Sequence, residues 1–185
     1  MTERSTGPLA ASAAPARVSV LCEVPAWRRA FPRPLGFLRS VAQSTLIGSG
    51  ETPPSGGYEL SLVLTDDAQQ QELNAQWRGQ DKPTNVLSFP DGTELPDGTL
   101  VLGDVVLALE TCRREAREQN KCLADHAAHL VVHGVLHLLG HDHEDAQEAA
   151  VMEGLEVRLL ADMGIANPYA EADIAGGNRV ERIEC

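Results

Sequence analysis

Residues 123–140 read LADHAAHLVVHGVLHLLG. The pattern is helical and apolar almost all the way round, which marks a helix buried at the centre of a domain rather than one lying on its surface. Two more helical segments flank it, the charged ETCRREAREQ at 110–119 and EDAQEAAVMEGLEVRLLADMG at 144–164. Upstream the pattern changes. RVSVLCE at 17–23 alternates like a half-buried strand, and YELSLVLTD at 58–66 reads as a second strand running into Asp66 and Asp67. Those aspartates can cap a helix through AQQQELNAQWRG at 68–79. Two further strands, TNVLSFP at 84–90 and LVLGDVVLAL at 100–109, are separated by the turn-rich DGTELPDGT. A basic, proline-interrupted helical stretch covers about Ala26 to Leu46. Strands first and helices later predict an α+β fold, a single domain with a mixed β-sheet of about four strands packed with helices around the buried central helix. The domain is expected over residues 17–166, with a disordered N-terminal tail at 1–16 and a C-terminal tail at 167–185.

The chain has 15 basic and 27 acidic residues, a net charge of -12. That balance argues against a general positive surface that would coat nucleic acid, so any polyanionic partner must meet a local basic patch. Residues 24–50 hold Arg28, Arg29, Arg33 and Arg39 and no acid, and Arg113, Arg114, Arg117 and Lys121 form a second cluster. Cys22, Cys112, Cys122 and Cys185 are scattered without a C-x-x-C pair, which favours a reducing compartment. No apolar run is long enough to span a bilayer, and the opening stretch has no signal-peptide core.

All six histidines fall between His126 and His143. At about 100° per residue, His126, His129, His133 and His137 share one stripe about 80° wide on the central helix. Each buried neutral imidazole needs partners for both ring nitrogens, and a metal ion supplies one for several rings at once. The i, i+4 pair His133 and His137 points at a common centre, and a left-handed turn at Gly140 can return His143 as a third ligand. Three nitrogen ligands leave one position open, the arrangement of a catalytic zinc rather than of a closed structural site. The central helix is therefore expected to bind one zinc ion per chain, ahead of nickel or iron. His126 and His129 are assigned to core or supporting roles and His141 to a solvated turn, where Asp142 could orient an imidazole.

The H-x3-H-x5-H spacing is that of a large class of zinc proteases, but Gly134 stands where those enzymes carry their general-base glutamate. Without that carboxylate the proton transfer to a leaving amine has no agent, so a phosphodiester suits the site better. A second unusual stretch, LNAQWRGQDKPTNVLSFP at 73–90, carries Arg78. As a local feature, Arg78 could simply cap the end of its helix.

Taken together, the LN-x3-R-x2-D-x-PTNVLSFP block, LGDVVLA at 102–108, HG-x-LHL-x-GxDH and MGIANPY resemble the YbeY family of endoribonucleases. The match runs from about Tyr58 to Tyr169, and His141 stands where the family more often has an aromatic. The resemblance implies zinc bound by His133, His137 and His143, with catalysis carried by Arg78 and His133. It implies a single-strand-specific, zinc-dependent endoribonuclease acting in ribosomal RNA maturation, in small-subunit 3′-end processing and ribosome quality control. Its partners would be RNA and the ribosome or ribosomal proteins in the cytoplasm, without DNA or a membrane. A guanidinium beside zinc fits that chemistry, because it can grip a phosphate at two points and stabilise developing charge. The competing readings are a zinc peptidase using Asp142 or Glu144 as base, and a zinc-containing ribosome-assembly factor without catalysis.

Overall fold

The computed structural model describes residues 16–143 and 145–170. The expected N-terminal tail lies outside them except for Ala16, which opens the first strand, and residues 171–185 of the expected C-terminal tail also lie outside. The strands are β1 (Ala16–Cys22), β2 (Tyr58–Thr65), β3 (Val86–Glu94) and β4 (Leu100–Ala108). The helices are α1 (Pro34–Gly48), α2 (Asp67–Arg78), α3 (Leu109–Glu118), α4 (Leu123–Leu138) and α5 (Ala146–Asp162). This is the α+β fold with a four-stranded mixed sheet that the pattern predicts.

The sheet order is β1-β2-β4-β3, with β1, β2 and β4 parallel and β3 antiparallel to β4. Parallel neighbours need long crossovers, and α1 lies between β1 and β2 in the chain. Helix α4 packs across β3 and β4 and against α1, α3 and α5. Val105 and Leu107 of β4 belong to the same core as Val131, Val135 and Leu136 of α4. Val106, which points to the other face of the strand, is also buried. Helix α2 lies against β4, where buried Gln70 donates from Nε2 to the Val106 carbonyl at 3.2 Å. A strand covered on both sides reads as a continuous apolar run, as β4 does from Val105 onward.

Two local signals act as predicted and two segments differ. Asp66 caps α2, its Oδ1 accepting from the Gln69 amide at 3.0 Å. The basic stretch after β1 is broken into a 3-10 turn at Pro25–Arg29 and then α1. Within that turn Trp27 is fully buried and donates from Nε1 to the Thr65 carbonyl at 2.8 Å. The turn-like residues after Pro90 continue β3 to Glu94, because a register shift between Pro90 and Thr93 absorbs them without ending the ladder. Residues 167–170, expected in the C-terminal tail, instead lie against the domain. Lys121 Nζ donates to the Pro168 carbonyl at 2.6 Å, and the Tyr169 hydroxyl donates to Glu156.

Candidate active site

The stripe on α4 places His133 and His137 one turn apart with their Nε2 atoms 3.1 Å from each other. The helix ends at Leu139 and Gly140 turns left-handed, at φ 92°. That turn returns His143, whose ring centroid lies 5.5 Å from that of His133 and 5.0 Å from that of His137. One ligand atom from each of the three rings lies within 4.8 Å of the others. A tetrahedral zinc with bonds of roughly 2.0–2.1 Å sets its ligand nitrogens about 3.3 Å apart. The His133–His137 pair already has that spacing, and His143 lies within reach of a shared metal ion.

A carboxylate that sequence reasoning missed holds the centre from behind. Glu156 of α5 is fully buried, and its Oε1 lies 2.7 Å from His133 Nδ1. Its Oε2 lies 3.1 Å from His129 Nε2 and accepts from the Tyr169 hydroxyl. Burial pushes the Glu156 carboxyl up, but the hydrogen bonds from His129, His133 and Tyr169 outweigh it and hold the group down at about 2. An ionised carboxylate only accepts, so the His133 proton is on Nδ1 and the Nε2 lone pair faces the shared centre. On His137, burial and then repulsion from His133 and His143 lower the pKa, favouring the neutral, ligating imidazole. The burial of Glu156 was legible in part. It falls on the buried stripe of α5 with Met152, Leu159 and Leu160, where a lone acid needs a partner.

His126 and His141 separate from the centre. His126 is buried and its Nε2 lies 2.9 Å from Glu115 Oε2, which also accepts from Asn85 Nδ2 at 2.9 Å. His141 is not the solvated turn residue expected. Only 21% of its side chain is exposed, with Nε2 4.0 Å from Glu51 Oε1, because the Gly140 turn folds it back towards the loop after α1. Asp142 uses Oδ1 to accept from the His143 amide at 2.8 Å. Glu144 lies outside the described residues.

Arg78 ends α2, where Gly79 breaks the helix in the left-handed region at φ 67°. It lines one cleft of about 590 Å³ together with Ser88, His133, His137, Asp142 and His143. Among the described residues its guanidinium has neither a carboxylate partner nor a hydrogen bond to the carbonyls it might have capped.

Position 134 faces the other way. A Cβ built on Gly134 would lie 2.6 Å from Val105 Cγ1 and 3.1 Å from Ser88 Oγ, and Ser88 donates to the Gly134 carbonyl at 3.0 Å. The helix lies so close to the sheet here that no glutamate fits, and a side chain at this position would point at β4 rather than at the histidine centre.

The family model for "Endoribonuclease YbeY" matches residues 38–164. The chain belongs to the YbeY family. A relative named Endoribonuclease YbeY from Paramagnetospirillum magneticum is 52% identical over 162 residues, covering 83% of this chain and 96% of its own. The protein of the same name from Rhodopseudomonas palustris is 43% identical over 170 residues, covering 90% and 97%. Among solved structures, the solution structure of TM1509 from Thermotoga maritima is 23% identical, with a TM-score of 0.48, covering 86% of this chain and 99% of its own.

Proposed function

We propose that this chain is a zinc-dependent endoribonuclease that cuts phosphodiesters in single-stranded RNA during ribosomal RNA maturation, in small-subunit 3′-end processing and ribosome quality control. The observation that carries the reading is the convergence on one cleft of three histidines that could hold a metal ion and an arginine without a carboxylate partner among the described residues. The closeness of helix and sheet at Gly134, which leaves no room for the protease base, weighs against peptide hydrolysis. The open cleft weighs against a closed structural zinc.

His133, His137 and His143 would hold one zinc through ring nitrogens, and the metal would supply Lewis acidity to a phosphodiester. Glu156 keeps the His133 proton on Nδ1, so this ring acts as ligand and not as acid. Arg78 accepts the phosphate in a planar two-point grip and stabilises charge that builds on the phosphoryl oxygens. Exposed Arg28, Arg29, Arg33 and Arg39 offer a salt-sensitive RNA path, whereas Arg114 and Lys121 are already committed, to Asp67 and Thr111 and to Gln119 and Pro168. The reading takes residues 16–170 as the endoribonuclease domain, working in the cytoplasm with the ribosome and ribosomal proteins. No helix among the described residues is long and apolar enough to cross a membrane.

Metal analysis paired with RNA cleavage tests this. One zinc per chain is expected, and His133→Ala should lose both metal and cleavage. Arg78→Lys should keep zinc and most RNA affinity but lose about 100- to 1,000-fold in rate, roughly 3 to 4 kcal/mol, since a point charge cannot make the two-point contact. Cleavage by Arg78→Lys within about threefold of the parent would remove Arg78 from the mechanism, and zinc retained in a His133/His137 double mutant would remove the metal site.

A further inference from the structure

The two tryptophans of the chain have opposite environments. Trp27 is fully buried and hydrogen-bonded, whereas Trp77 is 65% exposed. A large aromatic left in solvent forgoes the burial that usually places it. Trp77 sits in the last turn of α2, immediately before Arg78. Its ring meets Phe89 at a centroid distance of 6.1 Å and an interplanar angle of 67°. Phe89 lies on β3 between Ser88 and Pro90, which both line the histidine cleft. Among the described residues strand β3 is an edge of the sheet, with no further strand beyond it. The acids nearest in sequence to Trp77 and to Phe89, Asp81 and Asp91, have donors of their own. Asp81 Oδ1 accepts from Gln71 Nε2 at 2.7 Å, and Asp91 Oδ1 accepts from the Thr93 amide at 2.8 Å.

We propose that Trp77, braced by Phe89, is a stacking platform for an unpaired base of the RNA whose phosphate Arg78 receives. The proposal rests on the endoribonuclease reading and adds a specificity determinant to it. A strand lying in the cleft with a phosphate at Arg78 brings a neighbouring nucleotide to the residue just before it. Aromatic stacking accepts any base but needs its face free, as in single strands and not in a duplex. For a chain of net charge -12, it also supplies attraction that does not depend on a positive surface.

The zinc-loaded full chain is titrated with a phosphorothioate single-stranded RNA, which slows cleavage, while tryptophan emission is followed. Emission of the parent should be quenched on binding. Trp77→Phe should bind nearly as well without quenching, because the remaining Trp27 is buried. Trp77→Ala should lose about tenfold in affinity for single strands, a loss that appears in KM rather than kcat, and should lose much less for duplex RNA. Zinc content should be unchanged in both variants. Equal quenching in the parent and Trp77→Phe, or equal single-strand affinity in the parent and Trp77→Ala, would overturn the platform while leaving the endoribonuclease reading in place. The same holds if Trp77→Ala changes only self-association or protein binding. A parent that neither binds nor cuts RNA would overturn both.

Discussion

Helix α4 carries two carboxylate–histidine networks, and they end in different places. In one, Glu156 of α5 receives His129, His133 and Tyr169, and the far nitrogen of His133 opens onto the cleft. In the other, Glu115 of α3 receives His126 and Asn85. There the far nitrogen of His126 is buried without a hydrogen-bond partner among the described residues, beside a cavity of only about 80 Å³. Asn85 also accepts from the Val86 amide through Oδ1 and from the Ala108 amide through its carbonyl, so this network joins α3, α4 and the start of β3. The pairing chemistry is the same in both. What makes a candidate metal centre of the first is a second nitrogen facing open space beside two more histidines, and what makes a brace of the second is the lack of one.

The sharpest test of that difference is Glu156→Gln. The amide cannot accept two histidine protons and a hydroxyl with one oxygen, so His133 loses its fixed tautomer. Loss of such an outer partner typically lowers metal affinity by about 10- to 100-fold. Zinc affinity measured by chelator competition should fall in that range, together with about 1 to 3 kcal/mol of stability. Zinc affinity equal to the parent's would break the comparison, because Glu156 would then brace the fold just as Glu115 does.

A second cut, on the sheet-facing side of α4, asks whether stability loss alone can loosen the metal. Gly134→Ala places a methyl against the stiff Val105 side chain, 2.6 Å away before any relaxation. Overpacking of this kind costs about 1 to 3 kcal/mol. Denaturant unfolding should show that loss while zinc stoichiometry stays at the parent value. If zinc affinity falls as far as in Glu156→Gln, the effect assigned to the tautomer belongs to the position of the helix.

The networks also mark how far the residues can be read before folding. The histidine stripe is legible because helical periodicity alone brings His133 and His137 together, and a glycine at the helix end is a local signal for the return of His143. The four strands are legible from alternation and turn residues. Their parallel order is not, because it depends on which strands α1 and α4 cover. Glu156 and Tyr169 reach the site only through the packing of α5 and the following loop on α4, contacts between elements that no local pattern specifies. Position 134 shows both sides. The missing glutamate is visible in the sequence, but its cause is the contact with Val105 on a strand 29 residues earlier.

The smallest expected effect is at Glu115, and it concerns pH. Burial raises the Glu115 carboxyl, but the hydrogen bonds from His126 and Asn85 prevail and hold its pKa below the ordinary value of 4.5. A carboxyl with a depressed folded pKa contributes stability that is present above the unfolded value and is lost as pH falls through the folded one. Glu115→Gln removes the ionised acceptor, yet its amide oxygen can still take one of the two donors. The cost at neutral pH should therefore be about 1 kcal/mol, with zinc affinity unchanged. As pH falls below about 4.5 the unfolded chain takes up a proton at Glu115 first and the folded protein only lower still, so the contribution of the ionised carboxylate shrinks and the two stability curves should converge. Denaturation midpoints of the two proteins between pH 7 and pH 3 measure this. A gap that stays constant down to pH 3 would mean that the ionised form of Glu115 adds nothing, and that His126 is held by shape alone.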